Sequence, residues 1–135
     1  MYAIKTDVAR PNARAWLFTE QKTMYGGKKI GAGDQIFIFA SENAGGVGLI
    51  ALGTVTESKV VDREAGVERQ TPRVSISVTR TGTARRRLGR NELKPFASWS
   101  DGRPETELNF KFYRQATNKI VGLSETAATF LRTFF

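Results

Sequence analysis

The sequence predicts an α+β fold, a small β-barrel of about five or six strands with flanking short helices and a C-terminal helix, in a single domain over residues 1–135. Short strand-like segments follow one another without the regular strand–helix alternation of parallel α/β folds. The segment Gln35–Ala40 is apolar on both faces, which is typical of a strand buried inside a small closed barrel. The chain then ends in apolar residues at helical spacing.

Three further segments have strand character. Tyr2–Thr6 alternates in polarity and is followed by Pro11 and Asn12, which break a strand. Val47–Glu57 forms a long apolar segment in which glycines are expected to mark bends or bulges. Arg73–Arg80 alternates cleanly with a period of two, which predicts a strand with one face in water.

The remaining segments before residue 114 are less regular. Residues 13–24 are compatible with a short helix or with irregular structure, and Lys59–Gln70 is expected to be an exposed hairpin or loop. Residues 81–107 contain many Gly, Arg, Pro and Ser residues and predict a loop with one helical turn at Arg90–Lys94. Leu108–Tyr113 fits either a strand or a short helix.

The C-terminal helix is predicted from its start signal and its apolar stripe. Ser124 is a suitable N-cap, and the carboxylate of Glu125 suits the positive end of the helix dipole. The stripe consists of Ala127, Ala128, Phe130, Leu131 and Phe134.

The composition excludes several classes of enzyme. The sequence contains neither cysteine nor histidine, so disulfides, thiol nucleophiles and Ser-His-Asp triads are excluded. The carboxylates are scattered, with no spacing that indicates a metal site or an acid–base pair. We therefore expect a protein that is not an enzyme and that uses neither a cofactor nor a metal.

The N-terminus lacks the apolar stretch of a secretory signal, and the longest apolar runs are too short to cross a bilayer. The expectation is a soluble, cytoplasmic protein of bacterial type that does not bind membranes.

The charge balance points to a polyanionic partner. Lys and Arg total 21 against 13 Asp and Glu, for a net charge of +8. Such a charge favours nucleic acid, although an evenly spread charge that only aids solubility would give the same total. The arginine cluster, which lies within eleven residues, offers forked guanidinium groups suited to phosphate oxygens, unless it is simply a solvated loop. It consists of Arg80, Arg85, Arg86, Arg87 and Arg90.

The two tryptophans stand in unusual surroundings. Trp16 follows the strand-breaking Pro11-Asn12, and Trp99 stands in a Ser-Trp-Ser-Asp-Gly loop. A tryptophan among small polar residues suits a platform on which bases stack. Each tryptophan would equally serve to plug an open end of the barrel, and the sequence alone leaves both interpretations open.

Four segments carry a resemblance to a known family. They are Tyr2–Asp7, Gly33–Ser41, Gly53-Thr54-Val55 and the pair Arg114-Gln115 followed by Ile120–Ser124. In this order and spacing they resemble the EVE domain, a PUA-like fold related to the YTH domains that bind methylated adenine in RNA. The resemblance implies a PUA-like small β-barrel.

The resemblance also implies a pocket in the side of the barrel that holds one flipped base between aromatic side chains. Trp16 looks like the tryptophan of that cage, and Trp99 is the candidate for the opposing wall because of its position in a late loop. Ser41 and Asn12 are then expected to bond the edge of the base. Lys5 and the arginine cluster are expected to hold the flanking phosphates.

These observations favour a nucleic-acid-binding module that recognises a modified or flipped-out base in DNA or RNA. A small-molecule sensor or protein-interaction module on the same fold is the alternative, which the positive charge disfavours. A PUA-like nuclease or hydrolase is a third candidate, in which Lys5, Tyr113 or Asp34 would have to act because histidine and cysteine are absent.

Overall fold

The computed structural model describes residues 1–115 and 117–135, which form a closed six-stranded barrel with three short α-helices. The strands are β1 (Tyr2–Thr6), β2 (Ala15–Met24), β3 (Gln35–Ala40), β4 (Gly48–Val60), β5 (Arg73–Thr83) and β6 (Lys119–Gly122). The helices are α1 (Arg90–Leu93), α2 (Pro104–Phe112) and α3 (Glu125–Arg132). In the described part of the chain, no helix has the length and apolar character needed to span a membrane.

The strand order around the barrel is β1-β3-β4-β5-β2-β6, and β6 then pairs with β1. The β1–β3 and β2–β6 pairs are parallel, and the other four pairs are antiparallel. Each strand therefore has a paired neighbour on both sides, and β2 joins β6 through Thr23 and Met24 at its C-terminal end. The predicted α+β barrel with a C-terminal helix is therefore confirmed.

The two faces of strand β3 pack against two different apolar clusters, which explains why the strand is apolar on both faces. Ile36 and Ile38 point into the barrel, where side chains from all six strands form one core cluster. Phe37 and Phe39 point outward into a second cluster formed with the helices, where the ring centroid of Phe39 lies 5.1 Å from that of Phe112. Each buried side chain of this size contributes about 1.5–3 kcal/mol, so both faces of the strand stabilise the fold.

Most of the predicted elements lie at the expected positions. The structure contains the strands at Tyr2–Thr6 and Gln35–Ala40, and the helical turn expected near residue 90. The Oγ atom of Ser124 accepts a hydrogen bond from the backbone N–H of Ala127 at 3.1 Å, which confirms it as the N-cap of α3. The ambiguous segment Leu108–Tyr113 belongs to helix α2, apart from Tyr113, which caps it.

The prediction for residues 13–24 was wrong, because Ala15–Met24 forms strand β2. The register of β2 against β5 shifts between Phe18 and Gln21, and Glu20 adopts a left-handed backbone conformation with φ of 49°. An extra residue in a strand interrupts its period of two, which hid the strand in the sequence. Strands β4 and β5 also extend three residues beyond their expected ends, to Val60 and Thr83.

Candidate nucleic-acid interface

Three segments meet at one end of the barrel: residues 7–14 between β1 and β2, residues 41–47 between β3 and β4, and residues 84–89 after β5. The backbone N–H of Ser41 donates to the carbonyl of Thr6 at 2.8 Å, and that of Leu49 donates to the carbonyl of Leu88 at 2.8 Å. Gly48 has a φ of 86°, and a Cβ atom there would lie 2.4 Å from the Leu88 oxygen. The segments are therefore held closely against one another.

Between these segments lies a cavity of about 450 Å³, which we call the arginine groove. It is lined by Pro11, Asn12, Val47, Leu49, Ile50, Arg80, Thr83, Ala84, Arg85, Arg86 and Arg87. A second cavity of about 100 Å³ shares Val47 and Arg87 with it, so the two are adjacent. The combined depression has the size of sites that take a small molecule or a single base.

The arginine groove combines apolar walls with a charged rim. Val47, Leu49 and Ile50 provide aliphatic surface, and Asn12 adds an exposed side-chain amide. Among the described residues that line the groove, none is aromatic. The groove therefore offers methyl-sized apolar contacts together with cations.

Arg85 and Arg87 are the two freely available cations of the groove. Both are exposed, and neither guanidinium makes a hydrogen bond or a salt bridge with any other residue in the described ranges. Because their charge is not neutralised within the protein, both are available to a phosphate.

Arg80 has a different role, because its donors are already engaged by the protein. Its Nε donates to the carbonyl of Ala13 at 2.9 Å, its Nη1 donates to the Oγ1 of Thr83 at 2.9 Å, and its Nη2 donates to the carbonyl of Pro11. The guanidinium also lies 4.7 Å from the ring of Trp16. Arg80 therefore fixes the β1–β2 loop. Its planar guanidinium, which these hydrogen bonds hold in place, faces the groove.

The remaining two arginines of the cluster are also engaged. Arg86 donates to the carbonyl of Thr133 at 2.9 Å and lies 4.2 Å from the ring of Phe134, so it attaches this segment to the end of α3. Arg90 donates to the Oδ1 of Asn43 at 2.6 Å. The sequence pattern does not distinguish the five arginines, whereas in the structure only two of them have uncommitted side chains.

Trp16 closes the end of the barrel beside the arginine groove. Its ring stacks on Phe18 at 6.2 Å with an interplanar angle of 16°, and its Nε1 donates to the carbonyl of Arg10 at 2.9 Å. The side chain packs partly against the interior cluster of the barrel. Trp16 thus packs against the interior of the barrel, and it contacts the groove through the guanidinium of Arg80.

Ser41 and Lys5 lie behind the groove and do not line it. Ser41 is 2% exposed, and its carbonyl accepts a hydrogen bond from the N–H of Gly46 at 2.8 Å. Lys5 is 0% exposed and lies on the outer face of β1, where its Nζ stands 5.0 Å from the ring centroid of Tyr113 and has no hydrogen-bond partner among the described residues. Burial lowers the pKa of Lys5, although the carboxylate of Glu42 acts against that shift. The expectation that Lys5 contacts phosphate therefore does not fit this structure, since its amine is buried beside the ring of Tyr113.

Glu42 organises this side of the site, a role that the sequence did not indicate. Its carboxylate accepts the backbone N–H of Arg90 at 2.6 Å and the hydroxyl of Tyr113 at 3.0 and 3.1 Å. Burial, followed by the charge of Glu42, raises the pKa of Tyr113. These partners are 48 and 71 residues away from Glu42 in the chain, so no local pattern could have revealed the contacts.

Trp99 lies elsewhere on the molecule, which corrects its assignment as the opposing wall of the pocket. Its ring centroid is 5.5 Å from that of Phe110, and Phe110 lies 6.0 Å from Tyr25, directly beyond the end of β2. Trp16 lies near the start of the same strand. At about 3.3 Å per residue, the ends of β2 are roughly 25–30 Å apart, so the two tryptophans cannot enclose one base.

A further cavity of about 470 Å³ lies at the β4–β5 loop, at the far end of the 13-residue strand β4. Its lining includes the acidic residues Glu20, Asp62 and Glu64 as well as basic residues, so it is less suited to phosphate than the arginine groove. Within residues 1–115 and 117–135, no group of three or more acidic side chains is placed to hold a metal ion.

The fold has counterparts among solved structures. No protein-family model and no curated protein sequence matches this chain. The DUF55 domain of human thymocyte nuclear protein 1 superposes with a TM-score of 0.65 at 12% identity, covering 98% of this chain and 96% of that one. Human THYN1 in complex with 5-methylcytosine-containing DNA gives a TM-score of 0.63 at 13% identity, covering 98% and 95%. The chain therefore shares the barrel fold of the DUF55 domain of human thymocyte nuclear protein 1.

Proposed function

We propose that this protein binds nucleic acid through the arginine groove and recognises a modified base there, without catalysing a reaction. The observation that carries the proposal is the pair of free guanidinium groups, Arg85 and Arg87, at the rim of a cavity with apolar walls. A protein of the same fold has been solved with 5-methylcytosine-containing DNA, which supports the same class of ligand here. The net charge of +8 supports it independently.

In this proposal Arg85 and Arg87 bind phosphates on either side of the extruded base. Their planar forks suit phosphate oxygens, and binding releases counterions from the nucleic acid. These contacts position the strand but read no sequence, because every nucleotide carries the same phosphate.

The base itself would occupy the arginine groove. Bases stack on guanidinium planes as well as on aromatic rings, and Arg80 presents such a plane, held by its hydrogen bonds and lying against Trp16. Asn12 would bond the edge of the base, since its amide both donates and accepts hydrogen bonds. A methyl group on the base would pack against Val47 and Ile50.

The methyl contact sets the expected selectivity. Burial of one CH₂-sized group contributes about 0.8 kcal/mol, which corresponds to about a fourfold preference for the methylated base. Competition between a duplex containing one 5-methylcytosine and the same unmodified duplex measures that preference. Val47→Ala should lower it, whereas Val60→Ala, at an exposed position outside the groove, is the matched control.

Two outcomes would contradict parts of this proposal. Equal affinity for both duplexes in the wild-type protein would exclude recognition of the methyl group at this site. Absence of binding to either duplex, or to single strands, at low salt would exclude a nucleic-acid ligand and favour a small-molecule or protein-interaction module.

A further inference from the structure

Three aromatic side chains form a ridge at the end of β2 that is remote from the arginine groove. Tyr25 and Trp99 are 44% and 45% exposed, and Phe110 on α2 lies between them at 6.0 and 5.5 Å. We call Tyr25, Phe110 and Trp99 the aromatic ridge. A cavity of about 220 Å³ borders Trp99 and Phe110. The ridge thus presents contiguous aromatic surface to solvent, which commonly marks a binding site.

Basic side chains lie over the rings of the ridge. The guanidinium of Arg114 is 4.8 Å from the ring centroid of Phe110 and 5.7 Å from that of Trp99. The Nζ of Lys111 is 5.4 Å from the ring of Tyr25. Arg114 is exposed and makes no hydrogen bond or salt bridge through its side chain with another described residue. Its charge is therefore available to a ligand.

Two acidic side chains near the ridge, Asp101 and Glu107, are engaged within the protein. The carboxylate of Glu107 accepts hydrogen bonds from the Nζ of Lys111 at 3.0 Å and from the backbone N–H of Ser124 at 2.9 Å. Asp101 accepts the hydroxyl of Thr106 at 3.1 Å and lies 4.0 Å from the guanidinium of Arg103. Lys111 is paired with Glu107, whereas Arg114 has no bonded acid among the described residues, so Arg114 supplies a free cation beside the rings.

Tyr25, at one end of the ridge, occupies an unusual backbone conformation. Its φ of 53° lies in the left-handed region, which is uncommon for a bulky residue and less favourable by about 1–2 kcal/mol. Residues held in such conformations cluster at functional sites. The tyrosine ring lies 6.0 Å from that of Phe110 at an interplanar angle of 60°, so it extends the ridge.

We propose that the aromatic ridge is a second nucleic-acid contact, one that stacks unpaired bases of a single strand. Aromatic faces combined with guanidinium groups are what proteins use to bind single strands without sequence preference, because every base has a π-face. The inference rests on the proposed function, since both contacts would serve the same polyanion. Free positive charge on the ridge favours a phosphate backbone over an uncharged protein surface.

The location of the ridge makes it a separate site. The ridge lies beyond the end of β2 and the arginine groove lies near its start, roughly 25–30 Å away. At about 3.4 Å per nucleotide of a stacked strand, that distance corresponds to about seven to nine nucleotides. A strand longer than this would contact both sites and gain affinity from the second contact.

The fluorescence of Trp99 tests the inference directly. Wild-type protein and Trp99→Phe are titrated with a short single-stranded oligothymidylate, and the difference in emission between them reports Trp99. We expect quenching that saturates with oligonucleotide in the wild type and is mostly lost in Trp99→Phe. Trp99→Ala should weaken single-strand binding by about 5- to 150-fold, the range measured for loss of one stacked base. Leu17→Ala, which removes an exposed apolar side chain outside the ridge, should leave it unchanged.

Different results would contradict the proposal for the aromatic ridge and the proposal for the arginine groove. If Arg85→Ala/Arg87→Ala weakens duplex binding while the Trp99 signal persists, the two sites are independent, as proposed. If the Trp99 emission does not change with any oligonucleotide while the groove still binds duplex, the ridge proposal is overturned and the ridge is a surface for another class of partner. A signal from the ridge without any binding at the groove would overturn only the groove proposal.

Discussion

Removal of the two free arginines is the most direct test of the groove. The variant Arg85→Ala/Arg87→Ala removes two side chains that make no hydrogen bond or salt bridge in the described structure, so the fold should be unaffected. Each phosphate contact contributes about −0.9 to the slope of log K against log salt for duplex DNA. Loss of two contacts should therefore reduce the magnitude of the slope by about 1.8.

The size of that change can be measured across a moderate range of salt. Between about 50 and 200 mM salt, a slope smaller in magnitude by about 1.8 means that the double variant loses about tenfold less affinity than the wild type. Fluorescence anisotropy of a labelled duplex at several salt concentrations gives the slope for each protein.

A matched control separates local contacts from overall charge. Arg63→Ala/Arg69→Ala removes the same number of charges from the β4–β5 loop, at the far end of β4. We expect the slope of this control to stay near that of the wild type. If both double variants reduce the slope equally, the protein binds through diffuse charge, and the assignment of phosphate contacts to Arg85 and Arg87 is refuted.

Two further predictions concern the wall of the groove and the buried lysines. Arg80→Lys keeps the charge but loses the planar fork, so the preference for the methylated duplex should fall while the salt slope stays the same; an unchanged preference in the competition assay would contradict the role of Arg80 as a stacking wall. Burial, together with the charge of Lys5, lowers the pKa of Lys119 to about 8. The unfolded chain therefore binds more protons than the folded protein between about pH 8 and 10.5, and stability rises with pH through that window. The free energy of unfolding in urea should increase by about 2 kcal/mol from about pH 7 to 9.5. Lys119→Met should remove most of this increase, and an equal increase in the variant would show that other groups cause it.

The distribution of apolar residues was sufficient to predict the class of fold. Gln35–Ala40 is apolar on both faces because one face packs inside the barrel and the other against the helices, and this two-sided burial is a property of local sequence. Ser124 likewise marks the start of α3, since capping depends on residues only three positions apart. The positive charge and the arginine cluster are also properties of the sequence alone, and the expectation of a polyanionic partner comes from them.

The composition of the site depended on contacts between distant segments. Arg80 is committed to the β1–β2 loop and Arg86 to the end of α3, so only the tertiary structure separates these arginines from Arg85 and Arg87. The same is true of the two tryptophans, which the course of β2 places at opposite ends of the strand. Most strands and helices could be predicted from local pattern, because they depend on residues that are neighbours in sequence. The net charge follows from the composition alone. Which side chains remain free to bind a ligand was decided by packing across the barrel, where the partners are tens of residues apart in the chain.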